Sequence, residues 1–231
     1  LTLEKNMPLG SGLGSSGASC AAAAFAINAL LPTPLAKHEL LKYAVEGERL
    51  ASGSAHADNV APSLLGGICL VKSYHPLEII QVPSNSNLYW VVAHPDYIIH
   101  TRDAREVLPV SLPINKITEQ CGNLGALLIA LMTNDKQLIK KSVQDNIAEP
   151  VRSKLIPAYE EVKAAALAAG ALAFSISGSG PSVFAITDSE ANAKQIGEQM
   201  KNKFQEVANL NSHIYISTIN YAGTKLIEES E

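Results

Sequence analysis

Residues 8–19 read PLGSGLGSSGAS, four glycines and four serines in twelve positions, and run directly into CAAAAFAINAL. This feature limits the fold more than any other in the chain. Glycine reaches positive φ at little cost, so such a loop can bend tightly and bring bare N–H groups close to an anion. The alanine run behind it is a strong helix former. The first turn of that helix carries unsatisfied N–H groups and the positive end of the helix dipole. A glycine loop delivered to a helix start is therefore a phosphate cradle. The serines add hydroxyls that donate to phosphate or coordinate a hard cation such as Mg²⁺. The competing reading is a flexible Gly/Ser linker, which seldom feeds straight into a helix.

Gly12-Leu13-Gly14-Ser15-Ser16-Gly17 fits the dinucleotide pattern G-x-G-x-x-G letter for letter. That fold also needs a strand after the first helix, with an acid about 20 residues on. Here a second helix is expected over 37–50, and the nearby acid, Glu39, falls in its first turn. NAD is excluded on architecture. A Walker A loop is excluded because Gly-Lys-Ser/Thr does not occur.

With 231 residues, 47% of them hydrophobic, the chain can bury one large α/β core or two small ones. Eighteen Lys+Arg against 22 Asp+Glu give a net charge of −4, and no basic run interleaves with aromatics. Nucleic acid and anionic membranes are thus unexpected partners. Cys20, Cys69 and Cys121 are far apart, and the reading is buried reduced thiols and a cytoplasmic protein. No run approaches a membrane span, and no signal pattern opens the chain. The opening LTLEKNM alternates like a strand with no partner before it, so a segment is expected to precede residue 1.

Periodicity and punctuation predict a strand over 1–5, helices over 18–30 and 37–50, and a loop over 52–67. Strands are expected over 68–74, 77–82 and 88–94, then helices over 113–132, 135–144 and 151–169. Strands over 171–176 and 183–187, a helix over 190–207 and a strand over 214–219 close the chain. From residue 88 onward the order is β-α-β-β-α-β, the ferredoxin-like arrangement.

Three stretches carry a family resemblance. Pro8-Leu9-Gly10-Ser11-Gly12-Leu13-Gly14-Ser15-Ser16-Gly17-Ala18 resembles the P-x-x-x-G-L-G-S-S-A loop of the GHMP kinases, which phosphorylate galactose, homoserine, mevalonate and phosphomevalonate. HADNVAPSLLGG at 56–67 and SGSGPSVFA at 177–185 resemble the second and third family motifs, so the match spans nearly the whole chain. HADNVAP, with TRDAREVLP at 101–109, is most similar to the members that act on homoserine.

The resemblance implies an α+β, two-domain GHMP kinase fold: an N-terminal ATP-binding domain over 1–80, short of its first segment, and a C-terminal ferredoxin-like domain over 81–231. It implies ATP and Mg²⁺ as cofactors and transfer of phosphate to the hydroxyl of L-homoserine, a step of threonine biosynthesis. Residues 8–18 would hold the ATP phosphates. Ser16 and Glu48 would hold the metal, with Glu46 as a competitor on another face of the same helix. Ser16, Glu48 and Asn59 would be catalytic.

A zwitterionic amino acid needs an acid and a planar cation, which Asp58 and Arg105 supply, with His56 and Asn59 lining the pocket and Arg152 as a second carboxylate partner. Each has a plainer reading. Asp58 and Asn59 could be a helix cap, and Arg105 an exposed helix charge. Ser177, Gly178, Ser179 and Gly180 are either a flexible loop that closes over substrate or an ordinary hairpin turn. Mevalonate kinase is similar but places an Asp where Asn59 stands, and an amide is no base near neutral pH, so the general base stays open. Two alternatives remain: another small-alcohol kinase such as mevalonate kinase, or a nucleotide-binding protein without turnover. Assembly into a homodimer is left open.

Overall fold

Alanine dominates the helix behind the glycines, and in the computed structural model, which describes residues 2–84 and 86–227, it begins earlier than its alanines. Helix α1 spans Ser15–Ala29, so Ser15, Ser16 and Gly17 form its first turn. The next helix, α2 (Lys37–Ser52), is opened by the Glu39 carboxylate accepting from the Ala36 N–H and closed by Gly53. Its residues Leu40, Leu41, Ala44, Val45 and Glu48 form one buried stripe.

Residues expected as loop contain a third helix, α3 (Ala57–Leu65). Ala57, Val60, Ala61, Leu64 and Leu65 recur at helical spacing and are buried, and that burial outweighs Pro62 inside the helix. Strands β1 (Ile68–Tyr74) and β2 (Leu77–Val82) then pair antiparallel. No strand forms over 2–5, because nothing among the described residues offers it a ladder, and residue 1 lies outside them. Residues 219–227 return to this unit, where Gly67 N–H donates to Asn220 O and Thr224 N–H to Leu64 O. The three helices share one apolar cluster built on Ala21, Leu40, Leu41, Val60 and Leu64.

The second unit holds 84–218 together with Gly10–Leu13. Strand β3 (Tyr89–Pro95) is followed by α4 (Thr101–Glu106), α5 (Ile114–Thr133) and α6 (Lys136–Ser142). The single helix expected over 151–169 is broken into α7 (Glu149–Arg152), a 3₁₀ turn at Ser153–Leu155 and α8 (Tyr159–Ala168). Pro157 is the cause: it drives the preceding Ile156 out of helical geometry, to φ −104 and ψ 112. Strands β4 (Ala173–Ile176) and β5 (Val183–Thr187), helix α9 (Glu190–Ala208) and strand β6 (Ser212–Ser217) complete it.

The sheet order is β4-β5-β3-β6, antiparallel throughout, which is the ferredoxin-like order. Phe174, Val183, Ile196, Met200 and Phe204 fill the core of this unit, each fully buried aliphatic or aromatic side chain contributing roughly 1.5–3 kcal/mol. Contrary to the expected burial of the thiols, Cys20 and Cys69 are half-buried and Cys121 is exposed, and all three are free. Among the described residues no helix is long and apolar enough to cross a membrane.

Candidate active site

The start of α1 has no capping side chain and no acidic residue in its first turn. Its N-cap is Gly14 at φ 76, and the first i→i−4 bond runs from Ala18 N–H to Gly14 O. The helix therefore presents a positive end that its own side chains do not neutralise. A Cβ on Gly14 would stand 2.8 Å from Asn59 Oδ1, so glycine is required both by φ and by the close approach of α3.

Ser16 Oγ donates to Glu48 Oε1 at 2.8 Å, and Glu48 is only 1% exposed. The other carboxylate oxygen, Oε2, accepts from Cys20 Sγ at 3.6 Å. Ser16 and Cys20 are one helical turn apart on α1, so one face of that helix grips both oxygens of a residue on α2. Burial, and then the charge of Glu48, push the Cys20 thiol up. No cation pairs with Glu48 among the described residues, nor do three or more His, Cys, Asp or Glu side chains cluster there as a metal cage. Glu46, the competitor, is exposed and paired with Arg49, whose hydrogen bonds hold its carboxyl below the usual range.

His56 is the N-cap residue of α3, Asp58 is exposed in its first turn, and Asn59 is half-buried. The Tyr74 hydroxyl lies against the amides of Ala57 and Asp58; burial, then the Asp58 charge, raise its pKa.

In the second unit, Gly10–Leu13 is held by the turn that follows β4. Ser177 Oγ donates to Gly12 O at 3.0 Å, and Ser182 N–H donates to Ser11 O at 3.2 Å. Gly12, at φ 78, has no room for a side chain, since a Cβ would come within 2.8 Å of Gly180 O. The turn itself is closed by Ser177 N–H to Ser182 O and Gly180 N–H to Ser177 O.

Arg152 Nε donates to Ala104 O at 2.9 Å and Nη1 to Gly178 O at 3.1 Å. Burial lowers its pKa, Asp145 opposes that, and the neighbouring charge of Arg105 adds to it. Arg105 itself is exposed in the last turn of α4, with no ion pair among the described residues. The structure thus brings together Ser16 with Glu48, Gly14 with Asn59, and Arg152 with both Gly178 and the backbone beside Arg105.

Sequence reasoning missed Cys20 as a partner of Glu48. Its spacing of four from Ser16, on one face of a helix, was the available signal.

The model for the GHMP kinases N-terminal domain matches residues 1–67, and that for the GHMP kinases C-terminal domain matches residues 115–206. A homoserine kinase of Chlorobium phaeobacteroides (strain BS1) is 49% identical over 228 residues, 98% of this chain and 71% of that protein. The chain belongs to the GHMP kinase family. Another family member, the homoserine kinase of Cytophaga hutchinsonii, has a crystal structure that superposes with TM-score 0.93 at 51% identity, covering 96% of this chain and 70% of the other. A mevalonate kinase from Staphylococcus aureus, at TM-score 0.63 and 18% identity over 95% of this chain and 70% of its own, shares the GHMP fold.

Proposed function

We propose that this protein transfers the γ-phosphoryl group of ATP to the side-chain hydroxyl of L-homoserine, giving O-phospho-L-homoserine for threonine biosynthesis. The observation that carries the reading is the buried Glu48 carboxylate gripped by Ser16 at a glycine-opened helix start, in a chain about half identical to homoserine kinases.

Phosphoryl transfer passes through a loose transition state, so the protein has to position and neutralise charge more than form bonds. The residues suit that task. The uncapped first turn of α1 offers N–H groups and dipole to phosphate oxygens. Ser16 and Glu48 are a hydroxyl and a carboxylate, the hard oxygen donors Mg²⁺ takes in ones and twos beside phosphate oxygens and water. When bound there, the metal would neutralise charge on the phosphates.

For the acceptor, Asp58 offers a carboxylate to the ammonium, while Arg105 and Arg152 offer guanidinium groups to the carboxylate. Of the two arginines, Arg152 is the better held, by two backbone carbonyls. His56 and Asn59 line the start of α3, and Asn59 orients rather than takes a proton, because an amide has no basic lone pair near neutral pH. We read the unit that holds 14–83 and takes back 219–227 as the nucleotide-binding domain, and the unit over 84–218 as the ferredoxin-like domain, of a small-molecule kinase in the cytoplasm; the expected bounds, 1–80 and 81–231, miss the returning C-terminal segment. The test is ATP-dependent formation of phosphohomoserine, detected by mass. Nucleotide binding without any phosphorylated product would move the protein to the silent, nucleotide-binding class.

A further inference from the structure

His94 lies on β3, is 8% exposed and has no part in the chemistry above. Its Nδ1 stands 3.0 Å from the hydroxyl of Ser182, which is completely buried. Ser182 is one of two residues, with Ser177, at which the turn after β4 meets the glycine loop. Its carbonyl accepts from Ser177 N–H at 2.9 Å, and its own N–H donates to Ser11 O at 3.2 Å. With one backbone group committed to Ser11 and the other to Ser177, which itself holds Gly12 O, Ser182 is tied to both anchors of the glycine loop. Its hydroxyl is anchored to the imidazole in the sheet interior.

We infer that His94 is a positioning residue which fixes the phosphate-binding loop through Ser182 and thereby sets ATP affinity. The inference rests on the proposed function, with the ATP phosphates held by residues 8–18, Gly10–Leu13 among them, as the family resemblance implies. Burial keeps the His94 imidazole below its usual pKa; Asp96 on the same chain segment opposes this, and His213, its partner in register on β6, adds to it. The neutral ring carries one donor and one acceptor nitrogen, and a serine hydroxyl can serve either.

The experiment measures ATP dissociation constants without turnover, amide exchange at Ser11–Leu13, acceptor KM and thermal unfolding. The variants are His94→Phe, His94→Asn, Ser182→Ala and Ser177→Ala. His94→Phe and Ser182→Ala should each weaken ATP about tenfold, the scale of one lost buried hydrogen bond. Exchange at Gly12 and Leu13 should quicken, and the acceptor KM should stay within about twofold. The double variant should be no worse than either single one, and His94→Asn, whose amide lies near the place of Nδ1, should regain most of the affinity.

If His94→Phe does not fold, Ser182→Ala carries the same prediction. A fall in unfolding temperature with ATP affinity and loop exchange unchanged overturns the inference and leaves His94 a packing residue. Weakened ATP in Ser177→Ala alone overturns the role of His94 while the phosphate-loop reading stands. Faster loop exchange in all variants with no change in ATP affinity overturns that reading itself, and the inference with it.

Discussion

At the scale of single residues, Glu48 has the most to explain, because a carboxylate kept almost wholly from water by a hydroxyl and a thiol is costly without a charge partner. Ligand binding supplies the reason to keep it. Glu48→Gln preserves shape and both neighbours, so the fold should survive while kcat falls by roughly 10²–10³, the loss seen when one preorganised electrostatic contact is removed. Steady-state kinetics beside a circular dichroism melt check this; near-normal kcat at saturating Mg²⁺ would remove Glu48 from the role.

The two arginines divide differently. Truncating the one that grips the acceptor carboxylate should cost on the order of 2–5 kcal/mol in acceptor binding, with ATP affinity unchanged. Arg152 is held by Ala104 O and Gly178 O, so Arg152→Leu should show this loss in the KM for homoserine and Arg105→Leu a smaller one. The reverse order would make the exposed Arg105 the principal contact.

At the scale of elements, the glycine loop shows how local conformation serves the site. Gly14→Ala places a Cβ at positive φ and 2.8 Å from Asn59 Oδ1, so the start of α1 must shift. ATP affinity should drop at least tenfold, a factor worth about 1.4 kcal/mol, while the rest of α1 stays helical. Titration with ATP and far-UV circular dichroism separate the two.

Most elements were legible because their signals are local: the alanines of α1, the stripe of α2 and the short apolar, β-branched-rich runs of β1, β2 and β5. Helix α3 was not, since the serines, glycines and Pro62 mimic a loop, although Val60, Ala61, Leu64 and Leu65 keep helical spacing. The break at Pro157 was open to reading and was outweighed by the alanines around it. The Ser16–Glu48 pair followed from motif resemblance. The link from His94 to Ser182 joins residues 88 positions apart, and no local pattern signals such a contact.

At the scale of the whole molecule, each unit has its own apolar cluster, and buried titratable groups couple stability to pH. His94 has its pKa lowered by burial from an ordinary value of 6.5, so below that pH the unfolded chain binds a proton that the folded chain resists. Stability should therefore fall as pH drops from about 6.5 toward the lower folded value, and His94→Asn should lose that part of the slope. Urea midpoints at pH 7.5 and 5.5 for both proteins decide it; parallel slopes would assign the pH dependence to other groups.

Whether this member of the GHMP kinase family phosphorylates homoserine is decided by incubating the full-length protein with ATP, Mg²⁺ and either L-homoserine or mevalonate, and following ADP release together with the mass of the product. Stoichiometric ADP and O-phospho-L-homoserine are expected with homoserine, little turnover with mevalonate, and loss of product in Glu48→Gln. Preferential phosphorylation of mevalonate, or ATP binding with no phosphorylated acceptor, would contradict the proposed function.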